Sequence, residues 1–422
     1  MAKDSLKQII DAQLINILPP KRELELLEEK TKKLIKILKE NIKKLKVRAD
    51  VFIGGSFAKN TLIKKDKYDV DIFIRFDSSY EEDKISLFLS KLVPANATRI
   101  HGSRDYFILK DKENNFEFEI IPTLKIKKPE QAKNITDLSY FHVNYVTNKI
   151  NQDKKLANEI RIAKAFIHYA DCYGAESYIN GFSGYAVELL VISYKRFIKF
   201  IEVMSKNNSE KIILDPAKFF KDKKEIMKQI NESKLLSPII LIDPTFKERN
   251  ALAALSDETF IKFKNYCSAF LKNPSDKFFI REDKEKIFRK NNKNIIELDL
   301  VTNRQAGDIA GTKLKKFSEF FIRESSRFFN INDSLFLYDE KENIGKILVV
   351  AEQKKEIIFS GPPVEMKEQL ARFKKEHKKI EIKNKQAFAR EKSLSFEEFL
   401  KVFQNKKADT LESMGVINIK KI

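Results

Sequence analysis

Asp69 and Asp71, in the stretch KYDVDIFIRF, alternate with Val70, Ile72 and Ile74. That period-two pattern predicts a half-buried strand with both carboxylates leaving the same face. Residues two apart on a strand lie about 6.5–7 Å apart, so two such carboxylates can converge on divalent ions roughly 3.5–4 Å apart, the geometry of two-metal phosphoryl transfer. Hard oxygen ligands favour Mg2+. Upstream, VFIGGSFAKN supplies Gly54 and Gly55, which lack a β-carbon and let backbone N–H groups approach a triphosphate closely. Ser56 is expected to cap the helix that follows and to offer its hydroxyl. Downstream, FEFEIIPTLKI repeats the alternation and puts Glu117 and Glu119 on one face. A third carboxylate there would complete a metal site and could take the proton from an attacking hydroxyl. Glu119, followed by two apolar residues and Pro122, is the first choice; Glu117 competes, and either could face solvent.

Each of these motifs is weak alone, because a lone D-x-D more often ends a solvated strand. Their order and spacing carry more weight, since an apolar strand is otherwise a poor place for two like charges.

The elements that would position these residues follow from periodicity. Helices are predicted over 5–18 and 20–47, the second begun by Pro19–Pro20 with Leu27, Leu34, Leu38 and Leu45 as its apolar stripe. A helix is expected over 81–92 and strands over 98–109 and 116–126. From about residue 154 a long helical region begins. Its block RIAKAFIHYADCYGAESYINGFSGYAVELLVISY reads as two helices joined by a link rich in glycine and aromatics. Lys164 and Tyr173 in that block could reach a nucleotide, although packing is the commoner fate of such residues. The C-terminal third alternates strands and helices. FSEFFIRESSRFF interleaves aromatics with arginines that could stack on bases, but core packing suits those phenylalanines better.

Composition bounds the rest. At 422 residues, with 42% hydrophobic and 34% charged, the chain has room for two to four domains and a sizeable core. No apolar run approaches a membrane span and the N-terminus MAKDSLKQII has no signal-peptide pattern, so a cytoplasmic protein is expected. Cys172 and Cys267 are its two cysteines, too few for a disulfide framework and not at zinc-ligand spacing. A net charge of +20 beside an acidic candidate site points to a polyanion, most commonly nucleic acid.

The turn and the D-x-D strand together resemble the nucleotidyltransferase fold of the DNA polymerase β superfamily. Further blocks make the resemblance narrower: YGAESYINGFSGYAVELL, the EIIP strand, DPTFKERNALAALS and GPPVEMKEQLARF. In that order, and spread over nearly the whole chain, they resemble the archaeal class I CCA-adding enzymes, the tRNA nucleotidyltransferases. The resemblance implies an α+β multidomain protein: a catalytic polymerase β-like head (1–150), a helical neck completing the nucleotide pocket (151–275), and an α/β body and tail that hold tRNA (276–422). It implies that Gly55, Ser56, Lys59, His142, Lys164 and Tyr173 contact the nucleotide, that Arg249 of KERN helps select the base, and that Asp69, Asp71 and Glu119 hold Mg2+. The activity implied is template-independent addition of C, C and A to the 3′ end of tRNA from CTP and ATP. The implied partner is the acceptor end and acceptor/T arm, and a second copy of the chain is a further candidate partner. Two departures stand out. Glu119 occupies a position where the family commonly has aspartate, and DLSYFH puts Leu138 and Tyr140 where the family has arginine and proline. Two alternatives stay open: another polymerase β-type enzyme, such as a poly(A) polymerase or an oligoadenylate synthetase-like enzyme, and a non-catalytic tRNA-binding relative.

Overall fold

The computed structural model describes residues 2–206, 211–377 and 379–422, and of residues 2–5 the backbone alone. The chain divides into two compact units, Met1–Arg281 and Glu282–Ile422.

In the first unit α1 (Ala2–Ile17) and α2 (Lys21–Lys44) precede β1 (Ala49–Ile53), the single turn α3 (Gly55–Ala58) and β2 (Tyr68–Asp77). Along α2, Leu27, Leu34, Leu38 and Ile42 are buried on one face, as helical spacing requires. Leu45 was expected on that stripe but is 47% exposed. It caps the helix, and Lys46 at φ +52° turns the chain away before another turn can form. After α4 (Ile85–Ser90), the strand expected over 98–109 is two strands, β3 (Thr98–Ile100) and β4 (Tyr106–Asp111). The carboxylate of Asp105 breaks the run: it binds Arg99 and His101 across the turn.

With β5 (Phe116–Lys125) these strands form a mixed sheet in the order β1-β2-β5-β4-β3. β2 and β5 are parallel neighbours, so Asp69 faces Glu117 across the ladder and Asp71 faces Glu119. The buried face of the sheet, including Val70, Ile72, Ile74 and Phe76, shares one core with the stripe of α2.

A second core joins α5 (Ser139–Gln152), α6 (Leu156–Tyr169), α7 (Gly184–Tyr194) and α8 (Phe197–Met204). Beyond these lie β6 (Ile212–Leu214), α9 (Lys223–Gln229), β7 (Ile239–Asp243), β8 (Phe246–Asn250) and α10 (Asp257–Lys272). Phe166 is fully buried at its centre, with the rings of Phe197, Phe263, Tyr266, Phe270 and Phe279 around it. Although first in sequence, α1 packs through Leu6, Ile9, Ile10, Leu14 and Ile17 on this helical core.

The second unit opens with α11 (Lys284–Asn291), β9 (Ile295–Thr302), α12 (Asp308–Ser325), β10 (Phe329–Asp339) and β11 (Ile344–Gln353). There follow β12 (Glu356–Pro363), α13 (Lys367–Glu376), β13 (Ile380–Lys383), β14 (Gln386–Lys392), α14 (Phe396–Lys406), α15 (Ala408–Met414) and β15 (Val416–Lys421). One sheet runs β10-β11-β9-β15 and another β12-β14-β13. Phe317, Phe321 and Phe329 are buried against Phe396, Phe399 and Phe403 of α14, so the aromatics between the arginines serve the core. Among the described residues no helix is long and apolar enough to cross a membrane.

Because Phe166 is enclosed by five other rings, Phe166→Ala is expected to destabilise the first unit by about 3–5 kcal/mol, measured as a lowered urea midpoint.

Candidate active site

The glycine turn is pressed against the aspartate strand. The Gly54 N–H donates to the Asp71 carbonyl at 2.8 Å, and a β-carbon on Gly54 would lie 2.2 Å from the Phe73 ring. Gly55 has φ +61°, and a β-carbon there would sit 1.6 Å from Asp71 Oδ2. Only glycine fits both the backbone and the space. The expectation for Ser56 as a cap is corrected. Gly54 is the N-cap of α3 and no side chain caps it, because Gly55 already begins the turn and Ser56 lies inside it.

Both aspartates are pushed toward the neutral form. Burial raises the Asp71 carboxyl, opposed chiefly by the Lys59 ammonium. Burial also raises Asp69, although Lys65 and Lys67 lie 3.9 and 3.8 Å from it. Glu119 is pushed up to about 8, by burial first and then by the charges of Asp71 and Asp69. Glu117 is otherwise employed, pairing with Lys67 at 2.9 Å and Lys110 at 3.4 Å. Among the described residues no ion pair engages Glu119. A divalent cation suits this set by chemistry and by charge: hard oxygen donors, mutually repelling, in a site that resists ionisation without a cation. As arranged, no three His, Cys, Asp or Glu side chains among the described residues converge as ready ligands. The site residues thus fit a cation by type and by their place on one face of adjacent strands.

Beside the carboxylates lies a buried ion triad. Glu188 of α7 is fully buried and accepts from Lys59 Nζ at 2.6 Å and from Lys164 Nζ at 2.7 Å. Thr61 Oγ1 donates to it at 3.1 Å and accepts from Lys164 at 3.0 Å. Burial would raise the Glu188 carboxyl, but the ammoniums of Lys164 and Lys59 outweigh it and hold it down at about 2. Lys59 is itself lowered by burial, against the pull of Glu188. Arg161, one turn before Lys164 on α6, donates to the Leu62 carbonyl and to Asn60. The residues after the glycine turn are therefore tied twice to α6. Tyr173 lies in the link before α7. A β-carbon on Gly184 would come 2.7 Å from its hydroxyl and 4.0 Å from Lys164 Cε, so Gly184 is the gap both side chains share.

A second buried carboxylate gathers the remaining expected residues. Asp243, at the end of β7, is fully buried; its Oδ2 accepts from Arg249 Nη1 at 2.8 Å and lies 2.9 Å from His142 Nε2. The His142 contact is close but not aligned as a hydrogen bond. The imidazole stacks on Tyr185, with centroids 4.0 Å apart, and burial lowers its pKa while Asp243 works the other way. The departures in DLSYFH are used for packing. Leu138 is buried in the core that the five-stranded sheet shares with α2, and Tyr140 carries the Arg75 guanidinium 3.8 Å over its ring.

Glu188, Asp243, Tyr185 and Thr61 were not singled out from the sequence. Two signals were there: a lone glutamate inside the apolar run AVELLVIS, and an aspartate closing IILID. A charge in such a run is buried, and a buried charge needs partners.

Removing the carboxylate between two ammoniums leaves both uncompensated, so Glu188→Gln is expected to lower stability by about 3–5 kcal/mol, read from the urea midpoint. In the wild type the unfolded chain takes up the Glu188 proton first, near its ordinary value of 4.5, and the folded chain only near 2. Its contribution is therefore complete above that window and is lost as pH falls from about 4.5 toward 2, a decline that chemical denaturation at stepped pH will follow. Gly55→Ala is expected to displace Asp71 and abolish catalysis while the far-ultraviolet circular dichroism stays native.

The family model for the nucleotidyltransferase domain matches residues 31–167, and that for the second domain of tRNA nucleotidyltransferase matches 158–280. A CCA-adding enzyme of Nanoarchaeum equitans is 32% identical over 368 residues, 74% of this chain and 92% of that protein. One from Methanocaldococcus jannaschii is 30% identical over 409 residues, 91% of this chain and 87% of that protein. Among solved structures, the Cid1 poly(U) polymerase bound to MgATP superimposes with a TM-score of 0.51 at 13% identity, covering 65% of this chain and 98% of that one, a likeness of fold. With identity to those archaeal enzymes running through both units, and with the glycine turn and the carboxylate strands side by side, the chain belongs to the CCA-adding enzyme family of nucleotidyltransferases.

Proposed function

We propose that this chain adds C, C and A, one nucleotide at a time and without a template, to the 3′ end of tRNA, consuming CTP and ATP and releasing pyrophosphate. The observation that carries this reading is the 30% identity to a CCA-adding enzyme over 91% of the chain. The acidic strand residues and the glycine turn are intact within that span, which argues against a non-catalytic relative.

In the reaction proposed, the terminal 3′ oxygen of tRNA attacks the α-phosphorus in line. A new O–P bond forms, and the bond from the α-phosphorus to the pyrophosphate oxygen breaks. Asp69, Asp71 and Glu119 would hold Mg2+, which when bound supplies Lewis-acid activation of the hydroxyl and neutralises charge on the leaving group. Glu119, the third carboxylate on this face, would be the group to accept the proton the hydroxyl loses. The N–H groups of the Gly54–Gly55 turn and the Ser56 hydroxyl would meet the triphosphate. Lys59 and Lys164 share one carboxylate, so their triad keeps one net positive charge beside the phosphates. Tyr173 and His142 would donate to phosphate or sugar oxygens, a neutral imidazole N–H being sufficient. Arg249 would read the base edge.

Residues 1–150 serve in this reading as catalytic head, 151–275 as neck and 276–422 as the tRNA-holding body and tail. The +20 charge suits an acceptor arm held by its shape and phosphates, in the cytosol. Copy number on tRNA is read by sedimentation of the complex.

Sequencing the 3′ ends made from tRNA lacking its terminal CCA, with CTP and ATP both present, is expected to return CCA. Exclusive use of ATP on arbitrary RNA would instead favour a poly(A)-type enzyme, and binding of tRNA without incorporation would favour a non-catalytic one. Asp71→Ala is expected to abolish addition while tRNA affinity, followed by filter binding, changes less than about two-fold, because the carboxylate faces the nucleotide and phosphate contacts elsewhere dominate affinity. Turnover retained in that variant would remove the metal assignment.

A further inference from the structure

Asp243 divides its two oxygens between different tasks. Oδ1 accepts from the backbone N–H of Thr245 at 2.8 Å, the Thr245 hydroxyl at 2.8 Å and the Tyr185 hydroxyl at 3.0 Å. Three donors on one oxygen, one of them backbone, fix the carboxylate to the β7–β8 turn and to α7. Oδ2 faces the other way, toward Arg249 Nη1 and His142 Nε2. Arg249 gives Asp243 only one of its nitrogens, and its side chain keeps 22% of its surface exposed, so the rest of the guanidinium fork is available to a ligand. The Tyr185 ring closes the arrangement, stacked on His142 and lying 5.6 Å below the Arg249 guanidinium. Next to Arg249, Asn250 is buried and bonds through Oδ1 to the N–H groups of Leu241 and Leu252, which locks the backbone of the arginine's own strand.

We propose that Asp243, anchored by Tyr185, is a positioning residue that fixes the Arg249 fork in one orientation and thereby sets which bases the pocket accepts; this rests on Arg249 reading the base, as proposed above. The chemistry makes orientation decisive. An arginine fork only donates. Cytosine N3 and adenine N1 accept, whereas uracil N3 and guanine N1 carry hydrogens. A fork held at one angle therefore favours C and A and opposes U and G, and a fork free to rotate can turn to the carbonyl oxygens of U and G instead.

The test compares kcat and KM for CTP, ATP, UTP and GTP on tRNA lacking CCA, in the wild type, Asp243→Asn, Arg249→Ala and the double variant. Asp243→Asn keeps the shape, but with its one carbonyl oxygen held by the Thr245 and Tyr185 donors its amide nitrogen, which only donates, faces Arg249 and the bond is lost. It is expected to cut discrimination of CTP over UTP by about ten-fold, chiefly through KM, the loss of one charge-assisted hydrogen bond. If Asp243 acts through Arg249, adding Asp243→Asn to Arg249→Ala changes discrimination by less than about two-fold. Full additivity in that cycle, or unaltered discrimination with only a lowered melting temperature, overturns the proposal. Should Asp243→Asn not fold, Tyr185→Phe removes one bond to the anchored oxygen while keeping the stacked ring, and discrimination is expected to fall several-fold; no fall overturns the proposal. A wild-type chain that adds neither CMP nor AMP overturns the underlying function as well, whereas a wild type that discriminates alongside an unaffected variant overturns this inference alone.

Discussion

A single fully buried carboxylate, Glu188, stands between two ammoniums from different parts of the chain, and the site depends on that contact. Lys59 follows the glycine turn beside the five-stranded sheet, and Lys164 lies on a helix of the second core. Without the glutamate the two lysines would repel one another in a place that water does not reach. With it, they are held at hydrogen-bond distance and leave one positive charge in excess, facing the Asp71 carboxylate. Burying three charges carries a large desolvation cost, so the triad is a poor way to gain stability and a good way to fix geometry.

The helix that carries Glu188, α7, serves a second purpose one turn earlier. Tyr185 and Glu188 lie three residues apart on α7 and so share a face. One reaches Asp243 and its partners, the other the lysines. α7 thus spaces the two basic clusters expected to meet a nucleotide, one suited to phosphates and one to the base. Its own placement comes from Ser183, whose hydroxyl accepts from the Ala186 N–H at the N-terminus, and from Gly184, where a side chain would strike the Tyr173 hydroxyl. A capping residue and a missing β-carbon therefore fix the distance between chemistry on α6 and chemistry on β7–β8.

The carboxylates obey a different constraint. β2 and β5 are parallel, so their alternation keeps Asp69, Asp71, Glu117 and Glu119 on one face in matched pairs. Lys67 and Lys110 engage Glu117 and leave Glu119 to the aspartates. Burial first, and then the proximity of like charges, raises proton affinity, which a divalent cation would reverse.

Much of this was legible from residue order. The two glycines, the D-x-D alternation and the E-x-E strand named the chemistry because each uses a local rule: no β-carbon, period two, like charge on an apolar strand. Leu27, Leu34 and Leu38 declared the buried face of α2 by the same logic, and Leu45 failed because a left-handed residue beyond it ended the helix. Ser56 was misread as a cap because one residue of register at a turn is decided by how closely Gly55 can approach Asp71. The partners of Lys59 and Asp243 were beyond local rules, since Glu188 lies 129 residues from Lys59 and Tyr185 lies 58 from Asp243. The sequence by itself determined which side chains could do chemistry and which elements carry them. Only the tertiary structure decided that two lone acids in apolar runs would each collect two basic side chains, because pairing buried charges is a property of the packed interior and not of any one segment.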